Sequence, residues 1–401
     1  MSARSTAPPP RQPMKTIGLC MIVKNEAPII LRCLESVRPL VDYVSIDDTG
    51  STDGTQAVIR EWLDREGVPG EVVDEPWRDF AHNRSLALAR LRERRDIDYA
   101  FVMDADDLLR IEPGFDPAAF KAGMAADLYD ITLRAGSIEY RRGCICGNRL
   151  PFKYVGVVHE YLDRPEGAGR AVLIPGLTVL SSHDGARGQD PDKYRRDIAV
   201  LERALLTETD EALRSRYVLY LAQSYRSAGD RELALINYLK RAGLGFWAEE
   251  VFISLYRAGT LMEELDYPDH EIIGIYLKAH EARPARAETL FAAARYCRRT
   301  RRHHQGYMIG RHAATIPQPA EGLFLLPWVY EYGILDDLSI CAYWTGRYRE
   351  SLELCDRLLT EARVPASLRP RIEKNRDFAL RRLGIEPAPA EPFPQIMIGF
   401  G

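Results

Sequence analysis

Long apolar runs are missing from this chain of 401 residues. No stretch approaches the 18 or so consecutive apolar residues that cross a bilayer as a helix, so no membrane span is expected. Lysine is scarce: 8 of the 54 Lys+Arg are Lys and the rest are Arg. Neither sign of charge dominates, since 58 Asp+Glu leave a formal net charge of -4, which argues against a dedicated nucleic-acid binder. The arginine excess has two readings, the codon usage of a GC-rich genome and recognition of oxyanions by the bidentate guanidinium fork. Composition does not choose between them. Cysteines are few and odd in number, 7 in all. That fits reduced thiols in the cytosol better than a disulfide framework. The closest pair, Cys144 and Cys146, lacks the second pair that a zinc knuckle needs. These two read as buried thiols or strand residues.

What is present is ordinary globular material. An apolar share of 46% and a charged share of 28% exclude a wholly disordered chain, a collagen and a disulfide-rich miniprotein. The length predicts two or three domains. Met1 to Pro13, with Pro8-Pro9-Pro10 and no apolar core, reads as a disordered lead rather than a signal peptide. Pro387 to Pro394 reads as a similar tail.

In between, the pattern changes twice. Thr16–Val23, Tyr43–Ile46, Glu71–Asp74 and Tyr99–Met103 are short apolar runs that predict buried strands. Helical spacing separates them over Ala27–Val37, Thr55–Glu66 and Asn83–Arg94. This β-α-β order implies a parallel sheet with helices on both faces. From Leu128 to about Leu180, short strands with Gly-rich turns predict an antiparallel extension of the sheet. After about Pro191 the chain is almost wholly helical in period. Tyr217–Tyr225 with Gly229, Ala234 and Tyr238, and Tyr343–Tyr348 with Ser351, resemble tetratricopeptide (TPR) helix pairs. The predicted division is a lead over 1–13, an α/β domain over 14–188, a TPR-like α-helical domain over 189–385 and a Pro-rich tail over 386–401.

In open parallel sheets ligands sit beyond the carboxyl ends of the strands. The polar clusters Lys24-Asn25-Glu26, Asp47-Asp48 and Asp104-Ala105-Asp106 fall at those ends. Two carboxylates one residue apart at a strand end can hold a divalent cation, and Mg²⁺ or Mn²⁺ suit that ligand set. The turn Asp48-Thr49-Gly50-Ser51-Thr52-Asp53-Gly54 has the residues of a capped turn, and Asp48 could also accept a hydrogen bond from a nucleobase.

Gly18–Glu26, Asp48–Thr55, Asn83-Arg84 and Asp104-Ala105-Asp106, followed by Val158-His159-Glu160, resemble the family 2 glycosyltransferases of the GT-A fold. The likeness covers residues 15 to about 185. It implies a nucleotide-diphospho-sugar transferase-like α/β domain followed by an all-α TPR-like extension. On this resemblance Asp48 contacts the base, and Asp53 supports the same pocket. Asp104 and Asp106 form the DxD motif at ribose and metal, and Lys24, Asn25 and Glu26 belong to the first nucleotide-facing loop. Arg84 opens a family helix in which Ser85 stands where Asn is usual. Asp104, Asp106 and His183 are the expected ligands of Mn²⁺ or Mg²⁺. Glu160 is expected as the base of an inverting transfer at the end of a strand, with His159 orienting it. Arg149, Lys153 and Arg187 are candidates for neutralising diphosphate.

The function expected is transfer of a sugar, from a UDP-sugar, to a glycan, lipid-linked or protein acceptor. The expected place is the cytoplasm, with peripheral attachment at the inner membrane face for a lipid-linked acceptor. A different class remains beside it, a TPR-like scaffold that binds a protein or peptide and carries a weak or inactive transferase domain. A nucleotidyltransferase, which also uses paired carboxylates on an α/β sheet, is the third reading. In the helical half, His303-His304 and the aromatics Trp247, Tyr256, Trp328, Tyr330 and Trp344 read as helix-end charge and packing.

Overall fold

The computed structural model describes residues 14–386 apart from 137 and 183. The chain divides into two compact units, 1–208 and 209–401.

The first unit opens with strand β1 (Ile17–Val23), helix α1 (Ile30–Val37), β2 (Tyr43–Asp48), α2 (Thr55–Glu66), β3 (Gly70–Asp74), α3 (Phe80–Glu93) and β4 (Tyr99–Val102). It continues with β5 (Asp107–Ile111), α4 (Pro117–Gly123), β6 (Leu128–Ala135), β7 (Ile138–Gly147), β8 (Lys153–Val155), β9 (Tyr161–Asp163), β10 (Val172–Ser181) and α5 (Lys193–Thr207). Eight strands form one sheet in the order β3-β2-β1-β4-β7-β6-β10-β5, and β8 pairs with β9 separately. The half from β3 to β4 is parallel. β7 then turns the sheet antiparallel. The parallel half is as expected; the extension is antiparallel at β4–β7, β7–β6 and β10–β5, but β6 and β10 run parallel, a departure from the expected antiparallel extension.

Continuous apolar strands are what a sheet covered on both faces requires, and Ile17, Leu19, Val44, Ile46, Ala100 and Phe101 are wholly buried. One core lies under α1 and α2, with Trp62 buried in it. A second lies under α3, around Ala87, Leu88 and Leu91. Gly18 permits the close approach of α3, since a Cβ there would stand 3.0 Å from Leu91.

Two elements escaped the sequence pattern. β5 follows directly on the acidic triplet and forms the far edge of the sheet, next to β10. α4 starts at an N-cap, Asp116, which accepts from the amides of Ala118 and Ala119. The change to helical period near 190 precedes α5, which falls in the first unit.

The second unit is a succession of helices: α6 (Glu211–Ala228), α7 (Arg231–Gly243), α8 (Ala248–Glu264), α9 (Asp269–Ala282), α10 (Glu288–Arg299), α11 (His303–Ala313), α12 (Ile334–Trp344), α13 (Tyr348–Thr360) and α14 (Arg369–Arg382). Each packs on the next. This is the arrangement expected of helix pairs that bury their apolar faces by stacking. A π turn, Val329–Gly333, leads into α12. All seven cysteines are buried free thiols, as their number and spacing suggested.

Candidate active site

The carboxyl ends of β1, β2 and β4 each carry a polar segment, and backbone amides tie the first two together. Asn25 adopts a left-handed φ of 58°. Its amide donates to Ser51 Oγ at 2.8 Å, and its Oδ1 accepts from the Thr52 amide at 2.8 Å. The Glu26 amide donates to Thr55 Oγ1. Asp53 Oδ1 accepts from the Thr55 amide and hydroxyl, while Oδ2 accepts from the Ala27 amide. Burial pushes the Asp53 carboxyl up, but these donors outweigh it and hold the group below its ordinary value. Asp53 therefore clasps the loop after β1 to the turn before α2. Asp48 Oδ1 accepts from the Gly50 and Ser51 amides at 2.9 and 2.7 Å, and its buried Oδ2 finds no hydrogen-bond partner. Lys24 is exposed beside this clasp.

Beyond β4, Asp104 meets two guanidinium groups. Arg84 donates to its Oδ1, and Arg142 lies 3.5 Å from its Oδ2. Burial pushes the Asp104 carboxyl up, but the two arginines override it and bring it down to about 2. Arg142 also holds Asp107 at 2.9 Å. Arg84 reaches further: its Nε donates to Glu160 Oε1 at 2.7 Å. Arg84 and Glu160 are each 12% exposed at the side chain.

The left-handed backbone of His159, φ 53°, brings Glu160 round to this position. Glu160 lies in the connection between β8 and β9, not at the end of a strand as expected. Ser85 anchors β8, the strand before that connection, its Oγ accepting from the Tyr154 amide at 2.8 Å and donating to the Tyr154 carbonyl at 3.2 Å. A hydroxyl at position 85 can do both.

The segment after β10 closes the group. Arg32 on α1 donates to both oxygens of Asp184 and to Ser182 Oγ. Ser182 Oγ donates to the Asp106 carbonyl at 2.7 Å. Glu26 accepts from the Ala186 amide. Gly185 leaves room at the meeting point, where a Cβ would come within 3.2 Å of Glu26 Oε1 and 3.3 Å of Asp106 Cγ. Burial raises the Glu26 carboxyl to about 7; the Ala186 amide opposes this, and the Asp106, Asp53 and Asp184 carboxylates add to it.

Among the residues expected, Asn25, Glu26, Asp48 and Asp53 share the loop clasp, while Arg84, Asp104 and Glu160 share the guanidinium bridge. Asp106 stands between the two groups, beside Gly185. His183 lies outside the described residues. Arg149 is not at this site. Its guanidinium donates to the carbonyls of Arg94 and Arg95 ahead of β4, because β7 runs antiparallel and pairs Gly147 with Tyr99. The chain is thereby returned to the opposite end of β4 from Asp104. Lys153 faces Asp163 at 3.8 Å. Arg187 is held by Asp197 at 2.5 Å and lies over the Phe80 ring. Sequence reasoning missed Arg142 and Arg32. A register shift between Tyr129 and Asp130 skips Cys144 in the β6–β7 pairing, so strand alternation gave no sign of Arg142.

The hard oxygen donors here suit Mg²⁺ or Mn²⁺. Among the described residues no group of three or more His, Cys, Asp or Glu side chains is arranged to hold a metal. The pair beside Gly185, Glu26 and Asp106, fits the one or two carboxylates by which Mg²⁺ is commonly held alongside substrate phosphate. Asp104 fits less well, being engaged by two guanidinium groups.

A parallel half-sheet with acidic turns at its carboxyl edge defines an α/β domain of the class that places ligands beyond the strand ends. Residues 19–112 match the model of glycosyl transferase family 2. Over those residues the first unit is thus similar to the family 2 glycosyltransferases. The chain is 32% identical over 100 residues to the lipopolysaccharide core biosynthesis glycosyltransferase LpsC of Rhizobium meliloti, covering 25% of this chain and 34% of that protein. It is 30% identical over 155 residues to a TPR repeat-containing protein of Synechococcus elongatus, covering 37% of this chain and 36% of that one. The chain thus spans about a third of the length of these curated relatives. Among solved structures, a tetratricopeptide repeat protein from Parabacteroides merdae is similar at 15% identity, over 48% of this chain and 68% of that one, with a TM-score of 0.35. No helix among the described residues is long and apolar enough to cross a membrane.

Proposed function

We propose that the chain is a glycosyltransferase that moves a sugar from a nucleotide-sugar donor, a UDP-sugar, to an acceptor hydroxyl with inversion. The observation that carries this reading is the Arg84 bridge, which brings Glu160 to the strand end that bears Asp104 and Asp106. In the reaction the acceptor oxygen forms its bond to the sugar C1 as the bond from C1 to the diphosphate oxygen breaks. That electron pair leaves with the nucleoside diphosphate. Glu160 takes the hydroxyl proton, as a general base within reach of the acceptor would. Asp48 Oδ2, buried and without a partner, is assigned to an N–H of the base, and the Asp53 clasp keeps that turn in place. Lys24 is assigned to the phosphate side of the loop. Asp106, with Glu26, would hold Mn²⁺ or Mg²⁺, whose chemistry when bound is to neutralise charge on the departing diphosphate.

Release of UDP from a panel of UDP-sugars tests this reading. Asp106→Ala should abolish release while the far-UV circular dichroism stays unchanged, and full activity in that variant would remove the metal assignment. Glu160→Gln should keep nucleotide binding and lose transfer. Formation of free diphosphate in place of UDP would move the chain to the nucleotidyltransferases. Free thiols at all seven cysteines support a cytoplasmic location.

A second reading gives the helical unit a protein or peptide partner. It is favoured by the exposure of Leu233, Ile236 and Leu239 on α7, an apolar face of the kind that marks contact surfaces. A chain acting purely as a scaffold should give no heat with UDP and Mn²⁺ in calorimetry.

A further inference from the structure

We propose that Arg84 is the positioning residue of the transfer: it sets the geometry of Glu160 relative to the donor end of β4. The proposal rests on the glycosyltransferase reading above and deepens it.

Three chain segments meet at this one guanidinium. Arg84 is on the second turn of α3, whose start is fixed by the Asp79 cap accepting from the His82 amide. Its Nε donates to Glu160, 76 positions on, and a terminal nitrogen donates to Asp104, 20 positions on. The guanidinium also lies over the Tyr154 ring, 5.6 Å from its centroid. Tyr154 is itself fastened to the next residue of α3, Ser85, through both its amide and its carbonyl. Two successive helix residues thus hold both ends of this segment, Ser85 by its hydroxyl on the backbone of β8 and Arg84 by its charge on Glu160.

This arrangement is a ruler more than a cement. A largely buried ion pair contributes little net stability, because desolvation offsets the attraction. What it supplies is direction: the planar fork fixes two carboxylates relative to each other, which a lysine ammonium cannot do. Nε on Oε1 leaves Glu160 one defined orientation in which Oε2 can meet an acceptor hydroxyl. The left-handed His159 supplies the chain reversal, and Arg84 supplies the aim. Asp104 has a second guanidinium in Arg142, 3.5 Å away and shared with Asp107, so it keeps a cation beside it when Arg84 is changed. Loss of Arg84 should therefore fall on the acceptor side of the reaction, not on the donor side.

The test uses the full chain and its hydrolysis of a nucleotide sugar, with water as the acceptor. The donor turned over fastest in a panel of UDP-, GDP- and CMP-sugars is the probe. Arg84→Lys keeps the charge and loses the fork. It should lower kcat about 100-fold, the scale of a 1 Å misplacement, and leave the donor KM within about threefold. Arg84→Gln should fall further, with the Lys variant recovering part of the loss. In the Glu160→Gln background, Arg84→Lys should add nothing, because a residue that acts through another is not additive with it. An unchanged kcat in Arg84→Lys overturns the proposal, as does a loss that multiplies with Glu160→Gln. A rise in donor KM at constant kcat also overturns it and returns Arg84 to the donor. Wild-type protein that hydrolyses no donor of the panel overturns the glycosyltransferase reading and the proposal together. Activity with additive losses overturns the positioning role alone.

Discussion

Arg90 and Asp47 form an unequal pair: Arg90 Nε donates to Asp47 Oδ1 at 3.0 Å, while Asp47 Oδ2 is buried with no hydrogen-bond partner. Arg90 divides its attention, its terminal nitrogen going to Glu75 at 3.0 Å. Burial therefore wins, and the Asp47 carboxyl is raised to about 6 despite the arginine.

The sign of the resulting pH dependence follows. A raised carboxyl binds its proton more tightly in the folded state. Its stabilising contribution is complete below the unfolded value near 4 and is lost as pH rises through about 6. Over that window Asp47 should cost the wild type up to about 3 kcal/mol. Asp47→Asn should flatten this slope, measured as urea midpoints of both proteins from pH 4 to 7. Parallel curves would show that Asp47 does not titrate there.

Asp53→Ala should destabilise the first unit by about 1–2 kcal/mol, because the amides of Ala27 and Thr55 lose their acceptor. Asp53→Asn, which keeps one acceptor oxygen, should lose less. Thermal unfolding of the two variants, each with and without UDP, checks the order. UDP should stabilise the Ala variant less than it stabilises wild type, because the clasp holds the Asp48 turn.

In the helical unit, Arg286 is 1% exposed at the side chain, with Glu249 at 2.6 Å, Glu288 at 2.7 Å and the Leu323 carbonyl at 2.9 Å. Arg286→Met would leave the buried Glu288 with no cation and Glu249 with only Arg283, 2.7 Å away, so a loss of about 3 kcal/mol is expected in chemical denaturation. Leu323 is also held through its amide on Glu249. Limited proteolysis should therefore cut the variant near residue 323 before wild type.

Gly259 on α8 faces the buried Tyr276 of α9, where a Cβ would stand 2.4 Å from the ring. Gly259→Ala should cost about 1–3 kcal/mol through overpacking, although alanine is the better helix former by about 1 kcal/mol. Gly243, at the end of α7, has open space around it, and Gly243→Ala should be neutral or stabilising. The melting temperature of Gly259→Ala should fall, while that of Gly243→Ala should hold or rise.

Much of the frame was legible because its cause is local. Ile17–Val23 and Tyr99–Val102 are strands buried on both faces, and an unbroken apolar run says so. The acidic turns were readable as strand ends, since Asp48 and Asp104 follow directly on such runs. What escaped depends on partners distant in the chain. Arg142 reaches Asp104 through a register shift in β7, and Arg149 is carried away by the direction of the same strand. Nothing near Asp107 announces that it begins an edge strand beside β10. Glu160 was picked out by its neighbours in sequence, but its place off a strand depends on one left-handed residue, His159.

β4 lies between two strands that run in opposite directions, parallel β1 on one side and antiparallel β7 on the other, and all four of its residues are buried. It is therefore the line along which the parallel part of the sheet meets its first antiparallel pair, and it is hydrogen-bonded on both edges. Asp104 and Asp106 follow closely on this doubly paired, buried strand, whereas Glu160 and Ala186 come from connections outside the eight-stranded sheet. Substrate fitting should accordingly be asymmetric, with those connections adjusting while the acidic pair keeps its place.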